Sequence, residues 1–310
     1  MALTHTSPPP VRVVARGVDR AAEGVAGLGA FLLFSAKVIY HCIADVILRL
    51  KFRRTVVMHV SEIAAGAGLF VVGGGMVFVV AALALAAGAT VGVQAFVGLS
   101  QIGAESFVGL AGSYANTREI TPLIAAVALS AQVGSSFTAE IGAMRVSEEI
   151  DALEVMSVPS IVYLVCTRLV AMVIALVPIY LVALFTSFLG TRLMTTQVFD
   201  MSPGLYDYYF NLYLPPIDIV YSLLKVVVFA IEVCLIHSYF GYYATGGPVG
   251  VGRAVGVAIR TTIIVVVLTL YFLASLSSIK SAFYSLAPAR DRARLRSLTE
   301  QITEIGRAHV

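Results

Sequence analysis

Five apolar runs, near residues 62–87, 119–141, 160–189, 216–240 and 257–284, are each longer than the roughly 20 residues an α-helix needs to cross hydrocarbon. A segment in that medium finds no water for its N–H and C=O groups and satisfies them internally as a helix. The predicted fold class is therefore an all-α polytopic membrane protein. Composition agrees: 59% of the 310 residues are hydrophobic and 13% are charged, about half the charge of a soluble domain. Mean hydropathy is +0.91. A net charge of +3 gives no reason to expect nucleic acid as a partner. The chain has no Trp, so Tyr and Phe must supply the interfacial belt.

Residues 1–20 are polar and Pro-rich and read as a mobile segment with no secretory signal. From 21 to 54 the pattern changes. Phe31, Phe34, Val38, Ile43 and Val46 recur at helical spacing against Lys37, His41 and Asp45, followed by Arg49, Lys51, Arg53 and Arg54. This predicts an N-terminal interfacial amphipathic helix resting on anionic headgroups. A helical body holding the five runs then covers 55–284, and a charged helical tail 285–310. The eight Lys and Arg of residues 1–54 place the N-terminus in the cytoplasm. With five spans, 142–158 and 241–256 are cytoplasmic as well, while 88–117, 190–215 and the tail lie outside. If 21–50 also spans, the arginine-rich tail returns to the inside. Segment 88–117 reads as a short extramembrane piece, and Gly246–Gly252 as a turn.

One polar passage stands out. Between spans two and three, Arg145, Glu148, Glu149, Asp151 and Glu154 crowd into less than three helical turns, with Glu140 just before them. Arg145 and Glu149 are i, i+4 neighbours that can support a helix. The acids can project into the cytosol while Ile150, Leu153 and Val155–Met156 face the membrane or its flanking spans. Such a surface suits a soluble partner better than a bare loop.

Other chemistry is missing from the sequence. It has no GxxxxGK[ST] phosphate loop, no GxSxG elbow and no HExxH. Cys42, Cys166 and Cys234 each stand alone in apolar sequence, which argues against a metal centre and for small buried side chains. No catalytic residue, cofactor or metal is expected. Lys225 and Glu232 are ionisable groups inside the fourth span and so candidate intramembrane functional residues. Seven residues, about 10.5 Å of rise, separate them.

The stretch Ala139-Glu-Ile-Gly-Ala-Met-Arg-Val-Ser-Glu-Glu-Ile-Asp-Ala-Leu-Glu-Val-Met156 resembles the signature of the MlaE/YrbE permease family. So do Arg118-Glu-Ile-Thr-Pro122, Val133-Gly-Ser135, Phe240-Gly-Tyr-Tyr243 and Gly250-Val-Gly-Arg253. Gln132 departs from the Arg that many relatives carry at that position. The absence of Trp and the basic tail resemble the actinobacterial YrbE proteins of Mce systems. The resemblance implies the membrane subunit of an ATP-driven lipid transporter in the bacterial inner membrane. Its implied partners are a second related permease, a cytoplasmic ABC ATPase and extracytoplasmic MCE-domain lipid-binding proteins. It also implies that 143–156 is a coupling helix seated on the ATPase. Two rival readings remain. An ion-coupled secondary transporter would use Lys225 and Glu232 and show inverted repeats, which the sequence lacks. A membrane scaffold would only anchor a lipid-binding assembly.

Overall fold

In a computed structural model the described residues are helical throughout and contain no strand. The structure describes residues 10–65 and 75–275, with side chains over 26–64 and 75–275; expectations for 1–9, Gly73, Gly74 and the tail 285–310 lie outside the described residues. The chain divides into two compact units, Met1–Ile263 and Ile264–Val310. In the second unit the described part is the end of one helix, which leaves Ile264, Leu268 and Tyr271 exposed at i, i+4 and i+7.

In the first unit α1 (Pro10–His41) opens within the segment expected to be mobile and runs into a π turn, Cys42–Ile47. It is followed by α2 (Arg53–Ala65) and α3 (Gly75–Ser100). Next come α4 (Val108–Ala115), α5 (Thr121–Leu129) and α6 (Ser135–Val146). Two π turns join these three into one helical run, Glu105–Val146. A short α7 (Glu149–Val155) precedes α8 (Thr167–Leu193), which π turns extend to Val162–Val198. Helices α9 (Pro203–Leu212), α10 (Pro216–Tyr242) and α11 (Gly247–Ala274) complete the order.

Among the described residues six helices are long and apolar enough to cross a membrane; one of them, Ala26–Ile47, is the segment expected at the interface. Its contacts bear on how it lies. The Val38 carbonyl accepts from Cys166 Sγ at 3.5 Å, and Phe31 and Phe34 meet the Tyr239 ring at 5.4 Å. Phe52, just beyond, meets Tyr163 at 5.3 Å. These partners are the first turns of Val162–Val198 and the last of α10. The π turn that ends it also borders a groove with Leu169 and Val173 further along α8.

Several boundaries differ from hydropathy. The span expected at 62–87 has its described helix at Gly75–Ser100, so 88–100 belongs to it, and 105–117 opens the next span. Phe96 stacks on Phe199 with centroids 4.3 Å apart, placing the end of α3 beside the end of the α8 run. Residues 190–198 continue that run, and 203–212 form α9. The turn expected over Gly246–Gly252 shrinks to a break before Gly247. Gly246 and Gly247 take φ of 87° and 68°, and Pro248 sits in the first turn of α11, where its missing N–H costs nothing.

Small residues explain why α3 keeps its helix through a weakly apolar stretch. Gly88 faces the Ser187 carbonyl and Gly190 faces that of Leu85, so the backbones of α3 and α8 approach with nothing between them. Thr191 donates to the Gly88 carbonyl at 2.7 Å and accepts from Asn116 Nδ2 at 2.7 Å, tying α3, α8 and the Glu105–Val146 run together. At that end Arg192 grips Asp207 of α9 through two bonds of 2.8 and 2.9 Å. That grip lowers the Asp207 pKa.

Two outcomes follow. A methyl group at Gly88 would strike backbone, so Gly88→Ala should cost about 1–3 kcal/mol in thermal unfolding in detergent. Gly98→Ala, with nothing within 4 Å of the new carbon, should not. Asp207 is charged in the folded state down to a lower pH than in the unfolded chain. Its contribution is therefore present above about pH 4 and lost as pH falls through the depressed folded pKa. The stability gap between wild type and Asp207→Asn should shrink from pH 7 to pH 3. At pH 7 it should stay below about 1 kcal/mol, because both partners are partly exposed.

Candidate functional site: the charged hairpin and its anchors

Helix α6 ends where Glu148 adopts the left-handed region, φ 61° and ψ 14°. Its N–H reaches the Arg145 carbonyl at 3.4 Å. Helix α7 starts at once and closes on a second left-handed residue, Ser157, φ 61°. There Val158 N–H bonds the Leu153 carbonyl at 3.0 Å and Ser157 N–H that of Glu154 at 2.9 Å, the paired pattern that caps a helix C-terminus. Neither position is Gly, so each carries a modest backbone strain. The acidic passage is thus a short helix with a sharp bend at either end. The i, i+4 pairing expected for Arg145 and Glu149 does not form, because the bend at Glu148 separates them. Arg145 Nη1 instead meets Asp151 Oδ1 at 2.9 Å, while Glu149 accepts from Ser147 Oγ at 2.9 Å.

Burial divides the hairpin into a root and a tip. Ile150 is fully buried, whereas Val155 and Met156 are 85% and 65% exposed beside exposed Glu148, Glu149, Asp151 and Glu154. Expected to share the inner face, Val155 and Met156 point away from it. Glu154 also does internal work. It accepts from Ser160 Oγ at 2.7 Å and from Tyr242 Oη at 3.4 Å, and Ser160 and Tyr242 lie 2.9 Å apart. Tyr242 and Tyr243 in turn flank Phe34 of α1, with ring centroids 6.1 and 5.9 Å away. The hairpin, the end of α10 and α1 therefore share one contact network.

Glu140 lies on α6, off the hairpin, with about half of its side chain exposed. Its carboxylate accepts from Ser136 Oγ at 2.6 Å and from Arg168 Nη2 at 2.9 Å. Arg168 is 5% exposed, bonds the Leu164 carbonyl at 3.1 Å and lies over the Phe137 ring. Lys225 donates to Glu119 Oε1 at 3.1 Å and to the Arg118 carbonyl at 2.8 Å. Arg118 makes a bidentate pair with Asp218 and sits 4.3 Å above the Tyr114 ring. Glu232 is half-buried two turns along α10 from Lys225. Of the candidate residues, Arg145, Glu148, Glu149, Asp151 and Glu154 lie at the hairpin and Glu140 just before it on α6, whereas Lys225 and Glu232 lie on α10, and the fold does not bring these two to the hairpin.

The sequence reading overlooks Arg168, Asp218 and His237. Arg168 is as conspicuous as Lys225, a charge inside an apolar run, and the same rule flags it. His237 gives no such signal. It is fully buried, 2.9 Å from Ser130 Oγ through Nε2 and 2.8 Å from Thr138 Oγ1 through Nδ1, across a helix face that Gly134 leaves open. Among the described residues no group of His, Cys, Asp and Glu is placed to hold a metal.

Removing the carboxylate beside Arg168 strands a buried guanidinium. Glu140→Ala should lower stability by about 1–3 kcal/mol, less than for a fully buried pair because Glu140 is half-exposed. Adding Arg168→Met should recover part of the loss in the same melting assay.

Residues 66–276 match the family model described as Permease MlaE. A probable ABC transporter permease protein of Rickettsia prowazekii is 33% identical over 198 residues, 64% of this chain and 76% of that one. A probable ABC transporter permease protein of Synechocystis sp. is 31% identical over 171 residues, 55% and 65% of the two chains. The chloroplastic protein Trigalactosyldiacylglycerol 1 of Arabidopsis thaliana is 28% identical over 176 residues, 57% and 50%. With its apolar helices and the charged hairpin inside the matched region, the chain belongs to the MlaE permease family, as a multi-pass transporter subunit rather than an enzyme.

Proposed function

We propose that this chain is the membrane-spanning permease of an ATP-driven lipid transporter in a bacterial inner membrane, with 55–284 as its permease domain and the N-terminus cytoplasmic. The observation that carries the reading is the hairpin. It presents acids and the bare side chains of Val155 and Met156 at the end of the bundle, rooted by Ile150. Exposed apolar groups ringed by charge suit a protein partner. In a family whose relatives are named ABC transporter permeases, that partner is a separate ATPase. A lipid cargo fits a chain with apolar walls, and the Arabidopsis relative carries a galactolipid in its name. A second permease and extracytoplasmic MCE-type lipid-binding proteins complete the proposed assembly.

The contacts of Lys225 suffice to hold helices together, so it needs no ion-coupling role. Glu140 acts in this reading as a brace for the hairpin root, while Arg145, Glu148, Glu149 and Asp151 face the ATPase. Glu154 has a double duty. A charge reversal there would disturb Ser160 and Tyr242 as well as docking, so the cleaner test lies elsewhere. Glu148→Lys with Val155→Asp should reduce recovery of the ATPase with the tagged permease at least tenfold, with the permease still eluting as wild type in detergent. Unchanged recovery would overturn the docking role.

A further inference from the structure

A second surface of the first unit, apart from the hairpin, is shaped for a ligand. Between the π turn after α1, α2, α8 and α10 lies an open apolar groove of about 620 Å³, within the range of small-molecule pockets. Ile43, Ile47, Val57, Val173, Val227 and Ile231 line it, and Arg53 stands at its edge. On α8 its lining runs to Ile174, eleven residues and roughly 16 Å of helix rise beyond Tyr163, the residue that Phe52 beside Arg53 meets. The groove therefore reaches from the end of the bundle to about the middle of a 30 Å hydrocarbon core. That depth suits an acyl chain from a single leaflet.

The segment that leads from the π turn to Arg53 is strongly basic. Arg49 and Lys51 both reach Asp45 Oδ1, at 3.2 and 3.4 Å, and His41 takes its other oxygen at 3.0 Å. Asp45 is thereby saturated. Arg53 and Arg54 follow one turn on, both exposed, with no ion pair or hydrogen bond among the described residues. An unengaged guanidinium on an apolar channel of leaflet depth, with a second exposed one next to it in sequence, complements a phosphate carrying acyl chains. Guanidinium matches phosphate in geometry as well as charge.

We propose that this groove binds one anionic phospholipid of the bilayer, an acyl chain lying along α8 and α10 and the phosphate held by Arg53 and Arg54. The site is separate from the hairpin and rests on the membrane placement of the chain, not on its transport partners. Losing the ATPase in the docking test would leave it intact.

The test uses the full-length chain, delipidated in detergent and titrated with dioleoyl phosphatidylglycerol or dioleoyl phosphatidylcholine, with retained lipid read by native mass spectrometry. One phosphatidylglycerol per chain should be retained at a concentration at least tenfold below that needed for phosphatidylcholine. Arg53→Gln with Arg54→Gln should erase that preference and leave phosphatidylcholine retention unchanged. Val173→Trp, which fills the groove, should weaken both lipids; Ile174→Trp at the exposed rim serves if the first variant fails to elute as wild type. Equal retention of the two lipids by the wild type would overturn the proposal. So would a preference that survives the arginine substitutions, which would place the lipid elsewhere. Full retention in the groove-filled variants, or displacement by inorganic phosphate alone, would reduce the site to a surface anion patch and overturn it too.

Discussion

Helices dissolved in hydrocarbon gain nothing from hiding apolar side chains against one another, because the lipid tails are equally apolar. What holds them is close contact, and here it is concentrated where α3 meets α8. Gly88 and Gly190 bring two backbones together, and the Thr191 hydroxyl turns that proximity into hydrogen bonds reaching a third helix through Asn116. The other helices are arranged around this seam. Helix α2 leads into it along α8, the Glu105–Val146 run lies across it, and α9 caps one end through Asp207. A side chain at Gly88 or Gly190 would push α3 and α8 apart.

Ionisable groups behave differently at the two ends of the bundle. Around α5 and α10 they are paired across helices, as in Arg118 with Asp218 and Lys225 with Glu119. Each pair offsets part of the cost of keeping charge near hydrocarbon. At the hairpin the acids are exposed, and Arg145 and Asp151 pair at the surface. The first pattern holds a structure together, and the second leaves charge available to something outside it.

Much of this was legible in the sequence. The helical class followed from run length, and the hairpin from five charges in an apolar chain. The boundaries were less legible, for a physical reason: hydropathy measures affinity for lipid, while the ends of α3 and α8 are set by helix contacts that glycine and threonine make possible. Residues 88–100 look weakly apolar because they are small, and being small is what lets them pack. His237 was invisible because its partners, Ser130 and Thr138, lie about a hundred residues away in sequence. The bend at Glu148 was hidden because nothing but the backbone shows it; a glycine there would have signalled it.

The bracing of α7 has a mechanical consequence. Its two bends are fastened by backbone hydrogen bonds, so it has no slack at either end. Asp151 ties it to the end of α6 through Arg145, and Glu154 ties it to Ser160 and to Tyr242 at the end of α10. A push on its exposed tip is therefore divided at once between two membrane helices, and through Tyr242 and Phe34 it also reaches α1. The hairpin works as a yoke, so a small tilt of seven residues becomes a concerted displacement of three long rods.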